Sequence, residues 1–541
     1  MTEYGIALDI GTSGLRCQAI DMDTGETIAT SITQRHPIPG MNVVDHVHFA
    51  IDSGRDVANK LLVKCANDLF KSLGIDLSKV RRVGVCGNTF QMSLFQNIEI
   101  LDLAYAGENM LQKLGVQKIE RNGAVVRASD IGLEGMPDAE VIIPPAVRHE
   151  IGADAIAMLL ITGVVDSKEP CIIVDYGTNA EMALICGDGR IYTGSAAAGP
   201  AMEGQQIERG MLAAPGAISD IRITDDGWEC TVLDEKMIPR KGDVVDPRTG
   251  NVVKRSNIRA VGITGTGTIS AIDCGIKSGV LKVPNIDSGD EKIHLQDGVC
   301  LKVKDIQEAG KAIGAMRAGF LTLLSAAGMW VEDVELAYMS GASGLYVDAK
   351  KAVDIGMVVP GAKRIVQFGN TSIEMARRLA LGTVTLDELR IFAERLRAEH
   401  CMFATMSTFT DLYSIEYSIW MNGMPTDRYN EMLEMYGYSP LNIFEGELDI
   451  TRKSMTDLPD ADKVPVKVIE TGTFLKGAIK DCIGCQQCVR RCPEKALNID
   501  WEGTERVGLV RTDLCGGTAC RKCEAACPNR VLHLDGFSLM M

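Results

Sequence analysis

Three things are missing from this sequence, and each absence closes off a class of function. No run approaches the ~18 consecutive apolar residues of a membrane-spanning helix, and the longest candidate, residues 155–165, is too short. The start, MTEYGIALDIG, has neither the basic segment nor the long apolar core of a secretory leader. Positive charge is scarce: 56 Lys+Arg stand against 72 Asp+Glu, a net −16. A nucleic-acid partner is therefore not expected, since phosphate-backbone binding needs clustered cations. These absences predict a chain without a membrane span, working in the cytoplasm. What is present fits a soluble globular protein, with 46% hydrophobic and 24% charged residues. At 541 residues the chain is too long for one core, and two to four domains are expected.

Cysteine is abundant, at 17 residues. Eight lie near the end, in CIGCQQCVRRCP and CGGTACRKCEAACP, and each set of four closes on Cys-Pro. Cys482, Cys485, Cys488 and Cys492 have the spacing C-x2-C-x2-C-x3-C-P of a bacterial ferredoxin; Cys515, Cys520, Cys523 and Cys527 repeat it with a longer first gap. In such pairs the fourth cysteine crosses to the other cluster. The expected ligand sets are thus Cys482, Cys485, Cys488 and Cys527 for one [4Fe-4S] cluster, and Cys515, Cys520, Cys523 and Cys492 for the second. Gly484, Gly516 and Gly517 are expected to permit the tight turns around each cubane. A zinc ribbon would use two well-separated CxxC pairs, and a disulfide staple suits a secreted chain. The remaining nine cysteines read as reduced core thiols, which also fits a reducing, anaerobic cytoplasm. Residues 471–541 hold 10 Lys+Arg against 8 Asp+Glu, a net +2, leaving −18 for the remainder. Arg490, Arg491, Arg521 and Lys522 either offset the anionic clusters, the simpler reading, or face an acidic docking surface.

Residues 4–22 read as strand, Asp-x-Gly-Thr-Ser turn, strand, and residues 171–191 repeat the design about 165 positions later. Either hairpin alone is weak, because turns favour Gly and Asp anyway. Together they suggest two like subdomains whose turn amides converge on phosphate. Asp9 and Asp175 then fit as carboxylates holding Mg2+ through water. Gly11 and Gly177 free the turns, and Thr12, Ser13, Thr178 and Asn179 add donors for phosphate oxygens. A third element, residues 334–344, runs from a strand into Ser-Gly-Ala-Ser-Gly before a helix. There Gly341, Ala342, Ser343 and Gly344 would let an adenosine moiety approach closely.

Elsewhere the signals are plainer. Residues 57–73 are helical by period, and residues 82–86 and 141–145 read as strands. His46 and His48 share one face of a possible strand, but no third metal ligand is near in sequence. The Gly/Ala/Pro-dense stretch 194–218 reads as a functional loop, in which Glu203 either orients a water or metal or starts a helix. Residues 219–260 suggest a hairpin excursion, and the Gly/Thr segment 262–270 a second loop lining the same cleft. Residues 383–435 are helical and rich in Met and aromatics, read as packed core rather than a partner groove. Residues 440–475 lose periodicity and read as a linker.

The order of first phosphate turn, second phosphate turn and Gly-rich adenosine motif resembles that of the ATPase superfamily of actin, sugar kinases and heat-shock chaperones. The implied fold is α/β, an actin-like (ASKHA) two-lobed ATPase. Its expected parts are a first portion 1–39, an inserted small α/β subdomain 40–150 and the remainder 151–440. A linker 441–472 then leads to an α+β ferredoxin domain 473–541 with two [4Fe-4S] clusters. Nearly the whole chain, through DIGTSG, DYGTNAEMAL, AAAGPAMEG, ERGMLAAPGAI, GITGTGTI and the double cluster motif, resembles the reductive activators of corrinoid proteins, in their methanogen branch. Many bacterial relatives carry an N-terminal [2Fe-2S] domain that this sequence lacks, so their route for electrons does not carry over.

The resemblance implies an ATP-dependent iron-sulfur oxidoreductase. It would return the cobalt of corrinoid methyl-carrier proteins from Co(II) to Co(I) in methylamine metabolism and methanogenesis, taking electrons from a low-potential donor. Three other functions stay open at this point: an ATP-driven electron donor to a dehydratase or ring reductase, a kinase with a regulatory cluster domain, and an ATP-dependent chaperone for cofactor loading. Two complete four-cysteine sets argue against the first, whose members hold one cluster between two subunits. A variant lacking Cys482 and Cys515 separates out the third.

Overall fold

The apolar residues of the first 33 positions form a meander of three strands, β1 (Tyr4–Ile10), β2 (Leu15–Asp21) and β3 (Thr27–Thr33). The computed structural model describes residues 2–540 apart from 106–107, 148–150, 178, 197–205, 397, 439, 442, 445 and 454–463. The chain divides into two units. One comprises Met1–Ile156, Ser372–Glu394 and Asp462–Met541; the other comprises Ala157–Thr371 and Arg395–Ala461.

In the first unit, α1 (Val43–Asp52) and α2 (Arg55–Ser72) lead to β4 (Val80–Gly87), which pairs in parallel with β1. The completed sheet runs Val466–Ile469, β3, β2, β1, β4, Glu140–Ile143, Ala124–Arg127. Six of the seven residues of β1 are buried, as expected for a strand covered on both faces. One cover is α2, whose Ala58, Leu61, Leu62, Cys65, Leu69 and Phe70 recur at helical spacing and are buried. The other is the helix that enters this unit at Ser372, and it lies so close that any side chain at Gly84 would collide with the Ala376 carbonyl.

Residues 40–150 therefore do not stand apart as a subdomain: β4, Glu140–Ile143 and Ala124–Arg127 extend the first sheet. Nor is 441–472 simply a linker, because Val466–Ile469 adds to the edge of that sheet beside β3. His46 and His48 lie on α1, not on a strand. Asn42 caps that helix by accepting the Asp45 amide, so the two histidines point to different faces, His46 buried and His48 exposed.

The ferredoxin-like segment belongs to the same unit. Its sheet runs Leu497–Glu502, Glu505–Arg511, Phe474–Ala478, Ser538–Leu539. Gly477 and Gly508 face each other across two of its strands and leave room for the Phe537 ring. Leu475, Ile479, Leu497 and Phe537 share one apolar core with Ile38, Phe49 and Leu61.

The second unit repeats the plan. Its main sheet runs Ala398–Cys401, Ile191–Ala196, Ala180–Ile185, Cys171–Tyr176, Leu336–Ser340, Arg364–Gln367, Asp449–Arg452. Again an antiparallel meander is followed by parallel strands, here including Asp449–Arg452 from the expected linker. Residues 219–260 form more than a hairpin: Ala217–Thr224, Gly227–Leu233, Pro239–Val245, Val252–Lys254 and Gly262–Ile263 make a five-stranded sheet.

Residues 265–277 are a buried helix and not a cleft loop. Thr264 caps it by accepting the Gly267 amide at 3.0 Å, Thr266 donates to the Ser219 carbonyl, and a Cβ on Gly267 would collide with the Ile218 carbonyl. The Gly/Thr pattern here serves close helix–strand packing. Of the Met- and aromatic-rich stretch, Phe403, Trp420 and Tyr429 are core, with Met406, Phe409, Tyr413 and Met421 packed against it, while Met402, Tyr417 and Met435 are exposed. Helix Val303–Ala327 presents Gly310 and Gly314 to Trp420 and Glu416 of Ser407–Asn422. Beside them Arg317 makes two bonds to Glu416, 2.7 and 2.6 Å, and the Tyr429 hydroxyl donates to the same carboxylate.

Candidate functional site

The eight cysteines of the C-terminal segment separate into two groups, and the division does not follow the motifs. Cys482, Cys485, Cys488 and Cys527 line one cavity, closed by the apolar side chains of Ile479, Ile499, Val531 and Leu532. Cys492 instead lies in the electrostatic environment of Cys515 and Cys523, with Cys520 beside Cys515. The fourth cysteine of each set thus lies with cysteines of the other set.

Burial pushes the Cys515 thiol up to about 11 and the Cys523 thiol up to about 12, so an uncompensated thiolate is disfavoured there. At Cys527 burial acts upward, but the amides of Val531, Leu532, Asn529 and Arg530 more than offset it, and the thiol lies below its ordinary value. The Ala496 amide donates to the Cys492 sulfur at 3.2 Å. No disulfide links any of them. Among the described residues no three His, Cys, Asp or Glu side chains converge on a single-ion site. Four sulfurs around an apolar cavity, with amides aimed at them, fit a polynuclear cluster.

Two of the three expected glycines turn the chain here. Gly484 and Gly517 sit at φ +69° and +66°, where a side chain is strained. Gly516, at φ −71°, needs no such freedom.

The first turn is built by β1 and β2. Register sets Asp9 opposite Arg16, and the guanidinium lies 3.9 Å from the buried carboxylate. Between them run Gly11, Thr12, Ser13 and Gly14. A Cβ on Gly14 would stand 2.8 Å from Thr33 Oγ1, which is occupied by the Leu15 amide. Asn88 Nδ2 donates to Thr12 Oγ1 at 3.2 Å and so fixes that hydroxyl.

One residue escaped the sequence reading. Asp154, in the first turn of helix Ala153–Thr162, is half-buried. Burial, with the nearby Asp9 charge adding to it against the Ala155 amide, raises its carboxyl to about 6. Gly152 admits it: a Cβ there would stand 2.5 Å from Asp154 Oδ1. The available signal was Gly-x-Asp opening the longest apolar run of the chain.

The second turn lies in the other unit. Asp175, the last but one residue of its strand, lies opposite Glu181 on one side and Ser340 on the other. Ser340 Oγ donates to Asp175 Oδ2 at 3.3 Å. Gly341, at φ +85°, packs so that a Cβ would collide with Asp175 Oδ1 and stand 3.0 Å from the Tyr176 amide. The second turn and the Ser-Gly-Ala-Ser-Gly motif, far apart in sequence, are therefore in contact. Gly344 lies at the same place, its carbonyl accepting from Gln367 Nε2 at 2.8 Å. Gly177 and Asn179 flank the turn. Thr178, Glu203 and the side chains of Ala342 and Ser343 fall outside the described residues.

Comparison with known proteins follows the same division. Residues 4–167 match the family model described as the RACo middle region, and residues 169–430 that described as the C-terminal domain of RACo, the ASKHA domain. Residues 481–531 match a 4Fe-4S dicluster domain. The chain is 46% identical over 519 residues to the [Co(II) methylated amine-specific corrinoid protein] reductase of Methanosarcina barkeri, covering 95% of this chain and 96% of that protein. It is 26% identical over 378 residues to the corrinoid activation enzyme RamQ of Eubacterium limosum, covering 66% of this chain and 60% of that one. The solved structure of a reductive activator for corrinoid, iron-sulfur protein shares the fold, with a TM-score of 0.61 at 24% identity over 77% of this chain and 66% of that chain. On the family models and the Methanosarcina relative together, the chain belongs to the reductive activators of corrinoid proteins.

Proposed function

We propose that this protein reduces Co(II) to Co(I) in corrinoid methyl-carrier proteins, those of methylamine methyltransferases foremost, at the expense of ATP. The observation that carries the reading is the 46% identity across 95% of the chain to a reductase of that kind. The joining of an actin-like double sheet to crossed four-cysteine sets in one chain supports it.

In this reading Cys482, Cys485, Cys488 and Cys527 hold one [4Fe-4S] cluster, and Cys492, Cys515, Cys520 and Cys523 the other. The clusters supply one-electron transfer at low potential. The protein's part is to shield them: Ile479, Ile499 and Leu532 keep water from the first set, and the Val531 and Leu532 amides stabilise the Cys527 thiolate.

Mg-ATP is bound through the two Asp-x-Gly-Thr turns. Asp9 and Asp175 would each offer a carboxylate to Mg2+. Gly11, Thr12, Ser13, Gly177, Thr178 and Asn179 donate to phosphate oxygens, and the backbone of Gly341, Ala342, Ser343 and Gly344 receives the adenosine. Asp154, close to Asp9 and titrating near 6, is suited to accept a proton from a water at that site. ATP assists only insofar as it favours the state competent for electron transfer.

The test is anaerobic. Holoprotein, titanium(III) citrate and a methylamine corrinoid protein in the Co(II) state are mixed, and the cobalt spectrum is followed with and without Mg-ATP. Conversion to Co(I) only with ATP is expected. Asp175→Ala is expected to abolish it at unchanged iron content; normal reduction by that variant would remove the nucleotide assignment. ATP hydrolysis without cobalt reduction would point to a different acceptor, such as a dehydratase or ring reductase.

A further inference from the structure

The two cysteine groups face different surroundings within their unit. The second is covered. The Cys515 carbonyl accepts the Gly40 amide at 3.0 Å, a Cβ on Gly517 would stand 3.1 Å from Gly40 Cα, and Arg521 bonds Asp52 at 3.0 Å. Residues 39–52 thus lie against the loop that carries Cys515 and Cys520.

The first group opens outward. Ile483, between Cys482 and Cys485, is 64% exposed although it walls the cavity those cysteines line, together with the exposed Pro528. Ile483 and Pro528 together give the mouth of this cavity an exposed apolar rim.

Three arginines belong to this part of the segment. Arg490 donates to the Cys485 carbonyl at 2.6 Å. Arg506 lies over the Trp501 ring at 3.6 Å and against Gly484. Arg530 is exposed three residues after Cys527. Among the described residues none of the three is paired with a carboxylate. Arginines elsewhere in the segment are paired: Arg511 with Glu470 and Asp513, and Arg521 with Asp52, Asp535 and Glu524. Residues 471–541 carry a net +2 on a chain whose net charge is −16.

We propose that Ile483, Pro528, Arg490, Arg506 and Arg530 form the docking surface for an acidic one-electron carrier protein of the ferredoxin type. The inference rests on the electron-transfer reading above and adds the port and the direction. An apolar centre accompanied by unpaired cations suits a brief encounter with an anionic partner, which charge steers and a small contact area releases. The carrier's reduced cluster gives up one electron, and the oxidised centre of Cys482, Cys485, Cys488 and Cys527 gains it, with no proton moved.

The test uses holoprotein and an acidic two-[4Fe-4S] ferredoxin. Its affinity is measured by titration calorimetry at rising salt for wild type, for Arg490→Glu/Arg530→Glu and for Ile483→Ser. Wild-type affinity is expected to fall with salt, and the double variant to bind at least tenfold more weakly. Iron content and reduction by titanium(III) citrate should be unchanged. Ile483→Ser, which leaves the charge intact, is expected to weaken binding severalfold with the salt dependence kept, and it reads the surface even if the charge reversal disturbs cluster loading. Equal affinity in all three proteins overturns the proposal. So does a double variant that binds ferredoxin normally but no longer binds the Co(II) corrinoid protein, since the face would then belong to that partner. Failure of wild type to reduce Co(II) with titanium(III) citrate and Mg-ATP would instead overturn the functional reading and leave the binding result standing.

Discussion

The Gly40 amide donates a 3.0 Å hydrogen bond to the carbonyl of Cys515. One residue of the actin-like part thereby fixes the backbone of a cluster-binding cysteine. The approach is possible because neither glycine at the contact carries a side chain: Gly40 is at φ +134° and Gly517 at φ +66°.

Gly517→Ala tests that contact. Left-handed backbone costs a non-glycine residue about 1–2 kcal/mol, and the new Cβ would press on Gly40 at 3.1 Å. The expected result is a lower denaturation midpoint and loss of iron from the Cys515 side, read by iron and sulfide analysis. Unchanged iron and midpoint would mean that the loop tolerates displacement.

Acid sensitivity has a defined source in the same region. His36 and His46 stack with ring centres 4.2 Å apart, and Gln91 Nε2 lies 2.7 Å from His46 Nδ1. Burial, with the His46 charge adding to it, holds His36 well below its ordinary value, and burial holds His46 down at about 3. The unfolded chain therefore binds these protons first. Stability is complete above pH ~6.5 and is lost as pH falls toward 3, by about 2 kcal/mol at pH 5 for His46 alone. Denaturant midpoints of the full chain at pH 7.5 and 5.0 should show this. His46→Gln should lose about 2 kcal/mol less than wild type over the same interval.

Gly341→Ala tests the turn proposed to bind nucleotide. The substituted residue would be strained at φ +85°, and its methyl would drive Asp175 from its place. ATP affinity by calorimetry is expected to fall at least tenfold, about 1.4 kcal/mol, with iron content unchanged. Wild-type affinity would separate this turn from nucleotide binding.

How much of this was legible depended on whether a feature announces itself locally. Asp9, Asp175 and the cysteines were, because a tight turn and a cluster ligand set each impose short-range spacing on the chain. Helix α2 was, through its apolar period. Asp154 was not: an acid at a helix start is ordinary, and only burial beside Asp9 makes it unusual. The Gly/Thr helix 265–277 misled for the opposite reason, since glycines that bring a helix onto a strand look in sequence like glycines that cradle phosphate. Val466–Ile469 was hidden because an edge strand of four residues carries little pattern, and its partner β3 lies more than 430 residues away. The placement of His46 turned on Asn42, whose capping bond to Asp45 starts a helix where alternation suggested a strand.

The crossing of the fourth cysteines gives the sharpest test of the site. Cys492 follows the first motif in sequence but shares its surroundings with Cys515 and Cys523, while Cys527 lines the cavity of Cys482, Cys485 and Cys488. Cys492→Ser should therefore cost about half of the iron. Anaerobic alkylation followed by peptide mapping should then label Cys515, Cys520 and Cys523 and leave Cys482, Cys485 and Cys488 protected. Cys527→Ser should give the reverse pattern. If Cys492→Ser instead exposes Cys482, Cys485 and Cys488, each motif holds its own cluster. The port assigned to Ile483 would then lie over a centre completed by Cys492, and its distance from the loop of Cys515 would have to be argued anew.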